Sequence, residues 1–309
     1  MLISICILTH NRCDLLRELL ESLAKIQYRP LEIIVVDNGS SDGTASLMQS
    51  YKHNITYIRN SRNLGVSARN MSLRAANGSM VITLDDDVLG IDDSYIRILA
   101  DKFNASPRLG AVNFKVIDPS TGKLCNWVHH RDPLTSSGRE FLTYEITEGA
   151  VAFRMEALRE VGFYSEGFFL SHEGPDLALR LLDAGYDVIY SHMISVLHYR
   201  SNLGRKSWLK YYFDTRNQFW LAARNFPVPY AAGYLLRGLS SMFVYSLRDG
   251  YLKYWLRAVR DGLAGIPDVM GGRKVLNAQT MEKVRTIDSE RPELASVIKD
   301  RLLRKGVRL

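Results

Sequence analysis

The sequence predicts an α/β protein with a mostly parallel central sheet flanked by helices, and three observations carry that prediction. Short β-branched runs alternate with segments of helical period through the first hundred residues, the pattern of a parallel sheet covered on both faces. The runs are continuously apolar, as in LEIIVVD (31–37), which a strand buried on both sides requires. Polar and acidic clusters, Thr9 to Asn11, Asp37 to Asp42 and Asp85 to Asp87, follow the strands, at the end where open α/β sheets bind ligands.

LISICIL (2–8) is strand one; without a basic leader it reads as a buried strand rather than a signal peptide. Asn11 is expected to cap the next helix with Asp14 as its capping-box partner, and Leu16, Leu19, Leu20 and Leu23 share one helical face. LEIIVVD is strand two and NITYIRN (54–60) strand three, followed by a helix from about Gly65 to Ala76 and by SMVITLD (79–85) as strand four. Residues 92–104 read as a helix and GAVNFKVID (110–118) as a strand. The stretch 119–138, with Trp127, His129 and His130, has neither period, and a loop of that length is usually functional or mobile. PDLALRLLDAG (175–185) is a helix with Pro175 at its first position and Gly185 as its stop, and DVIYSHMISVLHY returns to strand character.

The chain has 309 residues, 46% of them hydrophobic and 10% aromatic, which excludes disordered and fibrous classes. Cys6, Cys13 and Cys125 are odd in number and lack C-x-x-C spacing, so neither a disulfide framework nor a cysteine zinc site is expected, and a reducing, cytoplasmic location fits. The net charge of +7 is unevenly placed: from Arg200 onward there are 21 Lys and Arg against 9 Asp and Glu, and before it 19 against 24. Such asymmetry suits nucleic acid, a membrane surface or an anionic substrate. No nucleic-acid motif accompanies it. FPVPYAAGYLLRGLSSMFVYSL (226–247) is apolar but interrupted by Pro227, Pro229 and Arg237, too short an uncharged run to span a bilayer. An amphipathic helix lying on an anionic membrane surface is expected instead, the chain dividing into a domain at 1–205 and a basic helical extension at 206–309.

Asp85, Asp86 and Asp87 carry the strongest chemical signal. Three adjacent carboxylates after a buried strand repel one another unless a cation compensates. Their oxygens suit a hard divalent ion, Mg²⁺ or Mn²⁺, which completes its shell with substrate phosphate. The plain alternative is a solvated acidic turn.

ISICILTHNR, LEIIVVDNGSSDGT, NLGVSARN and LDDDV, in this order and spacing, resemble the family 2 glycosyltransferases of GT-A fold, and GAVAFRMEALREVGFYSEGFF, HEGPDLALRLLDAGYDVIY and SVLHYRS extend the resemblance over about residues 1–200. The resemblance implies a Rossmann-like GT-A domain with a nucleotide-diphosphate sugar donor. It places Thr9, Asn11 and Asp37 at the base and ribose, Asn63 and Arg69 in the nucleotide pocket, Asp85 and Asp86 toward the donor, and Gly149 where the sugar or acceptor approaches. It further implies Asp85, Asp87 and His198 as ligands of Mn²⁺ or Mg²⁺, and Glu173 as the base in an inverting transfer to a hydroxyl of a glycan or lipid-linked acceptor. Surface polysaccharide or glycolipid synthesis at the cytosolic membrane face is the implied setting. Each residue also has a plainer reading: a turn at Asp37, a solvated helix arginine at Arg69, a core or surface histidine at His198, an edge glycine at Gly149. Asp176 is an alternative base or simply a first-turn helix acid. The sequence departs from the family where two adjacent acids are usual, keeping Glu173 but carrying Gly174 in place of the second. That departure raises an alternative, an inactive nucleotide-sugar-binding partner subunit.

Overall fold

Alternation within each strand sorts the core. Ile3, Ile5 and Ile7 face one side with Ile82 and Leu84, while Cys6, Ile34 and Val81 face the other. The computed structural model describes residues 1–51, 55–199 and 207–303. In chain order its elements are β1 (Ile3–Thr9), α1 (Cys13–Leu23), β2 (Leu31–Asp37), α2 (Thr44–Ser50), β3 (Thr56–Arg59), a 3₁₀ turn at Gly65–Ala68, α3 (Arg69–Ala75), β4 (Met80–Asp85), β5 (Val88–Leu89), α4 (Asp93–Ala105) and β6 (Leu109–Asp118). Then come β7 (Lys123–Leu124), α5 (Pro133–Ser136), β8 (Phe141–Leu142), β9 (Ala150–Arg154), α6 (Met155–Val161), α7 (Glu173–Asp183) and β10 (Asp187–His198). The helices α8 (Trp208–Asn225), α9 (Val228–Arg248), α10 (Leu252–Ala264), α11 (Ile266–Met270), α12 (Ala278–Ser289) and α13 (Leu294–Leu303) follow.

The strands form one sheet in the order β3-β2-β1-β4-β9-β6-β10-β5, with β7 paired to β6 and β8 to β10, so the α/β class and its flanking helices stand. Pairing is parallel through β3-β2-β1-β4 and between β6 and β10. β9 enters antiparallel between β4 and β6, making the sheet mixed. The chain reaches β9 from the carboxyl end of β6 without a crossover helix, and a parallel entry requires one. The leucines of α1 pack on one face with Ile96, Leu99 and Phe103 of α4.

Two local expectations are corrected. Asn11 does not cap α1: its backbone is left-handed (φ 54°) and its side-chain oxygen accepts from the Ser41 amide at 2.7 Å. The Cys13 amide is instead taken by Asp42 at 2.9 Å, and Asp14 pairs with Arg17 on the surface. α7 begins at Glu173, so Pro175 is its third residue, where a missing N–H is still harmless.

The expected boundary at 205/206 and residue Asn54 of the expected third strand lie outside the described residues. Beyond the boundary Leu221 and Ala222 of α8, Phe226 just after it, and Met281, Val284 and Ile287 of α12 join Leu177, Leu181 and Phe153 in one cluster, while Tyr211, Met242 and Tyr245 form a smaller cluster of their own. Asp176 fixes this junction. Fully buried, it accepts from Ser165 at 2.6 Å, Arg180 at 3.0 Å, Asn225 at 3.1 Å and Arg224 at 3.2 Å. Burial pushes its pKa up, but these partners outweigh burial and hold it below the ordinary value. Asp176→Ala, which removes a fully buried carboxylate and leaves two partly buried guanidinium groups short of a partner, is expected to cost about 3 kcal/mol in denaturant unfolding. Because the folded-state pKa is depressed, this stabilisation is complete above the unfolded carboxylate value of about 4 and is lost as pH falls below it. The variant's stability should therefore be less pH-dependent in acid than that of the wild-type chain.

Candidate active site

The acidic run leaves β4 at its carboxyl end, and each carboxylate finds a different partner. Asp86 turns inward, accepting from Thr9 Oγ1 at 2.7 Å and from Arg12 Nη1 at 3.0 Å. Burial, reinforced by the neighbouring acids and opposed by Arg12 and Thr9, pushes its pKa up to about 6. Asp87, 2% exposed, accepts from the same Arg12 nitrogen at 2.6 Å through Oδ2. Its Oδ1 lies 3.2 Å from Nε2 of His198, which the β5–β10 pairing sets opposite Val88. Burial alone would lower the His198 pKa; Asp87 reverses that and raises it to about 9. Asn126, not singled out by the sequence, meets the other His198 nitrogen at 3.0 Å.

Asp85 is paired with Arg69, whose second nitrogen donates to the Leu84 carbonyl at 3.2 Å. Arg69 is 2% exposed, so it is no solvated helix arginine; it stands beneath Asp85 and orients it. Gly149 makes room for the same carboxylate. A Cβ there would lie 2.4 Å from Cγ of Asp85, and the backbone is left-handed (φ +74°), so both space and conformation call for glycine.

Beside this acidic end, Gly39, Ser40, Arg59, Asn60 and Ser61 line an open cleft of about 330 Å³. Asp37 lies beneath it, fully buried, accepting from the Ser40 amide and the Tyr57 hydroxyl, each at 2.7 Å. Asn38, which the sequence did not separate from its turn, ties the walls together: it donates to Asn63 at 2.9 Å and accepts from the Leu64 amide at 2.9 Å. Asn11 joins the β1 turn to the same wall through Ser40 and Ser41. Thr9, Asn11, Asp37 and Asn63 thus frame the cleft chiefly by holding its loops.

Glu173 starts α7 after three non-glycine residues with left-handed backbone, Phe169, Ser171 and His172, two of them consecutive. Such strain persists only when surroundings enforce it. Asn217 of α8 enforces it, donating to the carbonyls of Phe168, Leu170 and Ser171 at 2.7–3.0 Å. Glu173 is buried, its Oε2 has no hydrogen-bond partner, and burial raises its pKa above the carboxylate range. Asp176 faces away into the α8 junction.

The 119–138 segment spends its side chains on packing. Trp127, His129, Phe141 and Tyr190 pack against one another, mostly edge to face, with centroids 4.9–5.9 Å apart, and His130 reaches Glu145 at 2.7 Å and Asp288 at 3.3 Å. Trp127, His129 and His130 therefore anchor the segment to β10 and α12.

Among the described residues no three His, Cys, Asp or Glu side chains converge as a closed metal cage. The donors nevertheless fit a divalent cation completed by substrate: Mg²⁺ is usually held by one or two carboxylates plus phosphates, and Asp87 keeps one buried oxygen without a hydrogen bond, facing the His198 imidazole. Gly149→Ala should fold with a loss of roughly 1–3 kcal/mol, from left-handed backbone and displaced Asp85 together. Unfolding of this variant in urea checks it, and wild-type stability would mean that Asp85 does not need the space.

Residues 4–162 match Glycosyl transferase family 2. Among curated relatives, a poly-beta-1,6-N-acetyl-D-glucosamine synthase of Staphylococcus epidermidis is 31% identical over 113 residues, 36% of this chain and 27% of that protein. The Staphylococcus aureus (strain MSSA476) protein of that name is 30% identical over 106 residues, 33% of this chain and 26% of its own. The match thus spans about a quarter of those relatives' length. Among solved structures, S. aureus TarS 1-349 in complex with UDP-GlcNAc superposes with a TM-score of 0.61 at 16% identity, covering 97% of this chain and 91% of that one. The mannosyltransferase PcManGT of Pyrobaculum calidifontis, in complex with GDP-Man and Mn²⁺, gives 0.55 at 18% identity, covering 98% and 88%. These structures share the GT-A fold. With its first half matched by the family and its sheet and acidic strand end arranged in this way, the chain belongs to Glycosyl transferase family 2.

Proposed function

We propose that the chain is a metal-dependent, inverting glycosyltransferase that moves a sugar from a nucleotide-diphosphate donor to a hydroxyl of a glycan or lipid-linked acceptor. The observation that carries this reading is a pair of carboxylate sets that share Arg69 as an electrostatic neighbour: Asp85 to Asp87, with His198 on Asp87, and the buried, partly unpaired Glu173. One set suits a departing diphosphate and the other an arriving hydroxyl. That neighbours of the same fold were solved with UDP-GlcNAc and with GDP-Man and Mn²⁺ agrees with a donor of this class.

The donor's base and ribose rest in the cleft framed by Thr9, Asn11, Asp37 and Asn63, with Arg59 at its rim. Asp86 and Arg12 brace Asp85 and Asp87, and Arg69 holds Asp85 beside Gly149, where the sugar passes. A divalent ion held by Asp87 and His198, with Asp85 nearby, would supply Lewis-acid neutralisation of the leaving diphosphate. Glu173 takes the proton of the acceptor hydroxyl. Its burial suits that task, since a base whose conjugate acid is favoured by its surroundings attracts the proton more strongly.

None of the helices among the described residues is long and apolar enough to cross a membrane. α9 instead exposes Leu236, Phe243 and Leu247 on one stripe, and α10 exposes Leu256 and Leu263 among Lys253, Arg257 and Arg260. With the basic excess of this region, the pattern supports peripheral contact with an anionic, cytosolic membrane face where a lipid-linked acceptor is presented, and a role in polysaccharide or glycolipid synthesis.

A panel of UDP- and GDP-sugars with Mn²⁺ tests the reaction. Nucleoside diphosphate should be released, chelation should abolish release and Mn²⁺ restore it, and Asp87→Ala and Glu173→Gln should each lose about 10²–10⁴-fold in kcat. Turnover unchanged in both variants would sink the assignment, and tight nucleotide-sugar binding without turnover would favour an inactive binding subunit. Because burial raises the Glu173 pKa and the base must be ionised, kcat/KM should rise with pH along a limb lying above the ordinary carboxylate value of about 4. Co-sedimentation with phosphatidylglycerol vesicles should exceed that with phosphatidylcholine, fall with salt, and fall again in Leu236→Ser/Phe243→Ser. Indifference to all three removes the membrane reading.

A further inference from the structure

Position 174 is the second residue of α7, and the space its side chain would take is already filled. A Cβ on Gly174 would lie 2.6 Å from Oε1 of Glu148 and 3.1 Å from the Ile146 carbonyl oxygen. Glu148 comes from another part of the chain, the residue before Gly149 at the entry to β9. Both of its carboxylate oxygens are buried and neither has a hydrogen-bond partner of good geometry, although the Tyr164 hydroxyl lies beside it. The 22% exposure that the side chain retains therefore lies on its carbon stem.

Its neighbours place it between the two halves of the site. On one flank Arg69 Nε stands 4.0 Å from Oε2, and the same guanidinium holds Asp85. On the other is Glu173, whose charge raises the Glu148 pKa further after burial has already raised it. A carboxylate kept for structure is surrounded by donors, as Asp176 is by four side chains. Glu148 and Glu173 instead keep three buried oxygens without hydrogen bonds, at the point where β9 and α7 meet.

We propose that Glu148 is the second carboxylate of the reaction centre, acting with Glu173 and standing where residue 174 carries no side chain. This deepens the transfer reading above and rests on it. Two carboxylates buried side by side do not both ionise at neutral pH, so the pair holds one proton between them. During transfer the acceptor hydroxyl oxygen bonds to the anomeric carbon and its proton passes to the charged member of the pair. The bond from that carbon to the diphosphate oxygen breaks, and the nucleoside diphosphate leaves with the electron pair. The two acids end with two protons and no charge, the state their burial favours, and solvent restores the starting state when product leaves.

The proposal makes position 148 and position 174 interchangeable sources of one carboxylate. Wild type, Glu148→Gln, Glu148→Ala and Glu148→Ala/Gly174→Asp are compared for diphosphate release from whichever donor of the UDP- and GDP-sugar panel the wild type turns over, with donor Kd measured by titration on the same samples. Glu148→Gln keeps the shape and should lose about 10²–10⁴-fold in kcat while donor Kd stays near the wild-type value. The double variant, with room for the new side chain once Glu148 is gone, should recover about tenfold or more over Glu148→Ala. Wild-type kcat in Glu148→Gln overturns the proposal. So does a double variant that binds donor and melts like Glu148→Ala yet recovers nothing. Should the double variant melt early, Glu148→Gln decides alone. A wild-type chain that releases diphosphate from no donor of the panel overturns the transfer reading, and this proposal falls with it.

Discussion

Crowding of like charge at the carboxyl end of β4 is the constraint to which the rest of the site answers. Three successive carboxylates leave a buried strand, and with Glu148 and Glu173 close by they would drive the strand end apart if nothing opposed them. Arg12 bridges Asp86 and Asp87, Arg69 closes on Asp85, and His198 takes the remaining side of Asp87. These cations come from the β1 turn, the start of α3 and the end of β10. The sheet order brings all three to one place, so acid repulsion and sheet topology specify each other.

The C-terminal helices belong to the same economy of forces. Asn217 of α8 satisfies the carbonyls exposed by the strained turn that aims Glu173, and Arg224 and Asn225 of the same helix bind Asp176 three residues further on. A region that sequence charge marks as a membrane-facing extension therefore also builds the inner wall of the site. In the same region α9 and α10 carry the exposed leucines and cations.

Much of this was legible in the residues. β2 is observed over the range its apolar run predicts, β1, β4 and β6 fall within a residue of theirs, and the acidic run lies at the carboxyl end of β4 as the alternation requires. Local signals misled where a distant partner competed for the same group. Asn11 has the composition of a cap, but Ser41 claims its oxygen and Asp42 does the capping. Trp127, His129 and His130 have the composition of a binding loop, but β8, β10 and α12 absorb their rings and nitrogens.

By itself the sequence determined the α/β class, the family, and the acids and histidine that the strand ends carry, because these follow from periodicity and motif order along the chain. Only the tertiary structure decided what each acid faces. Asp86 is turned inward, Asp176 is consumed by the α8 junction, and Glu148, on a segment far from α7 in sequence, fills the space left by Gly174. The physical reason is that a carboxylate's role depends on its desolvation and its partners, and here both are supplied by elements that meet only when the sheet closes.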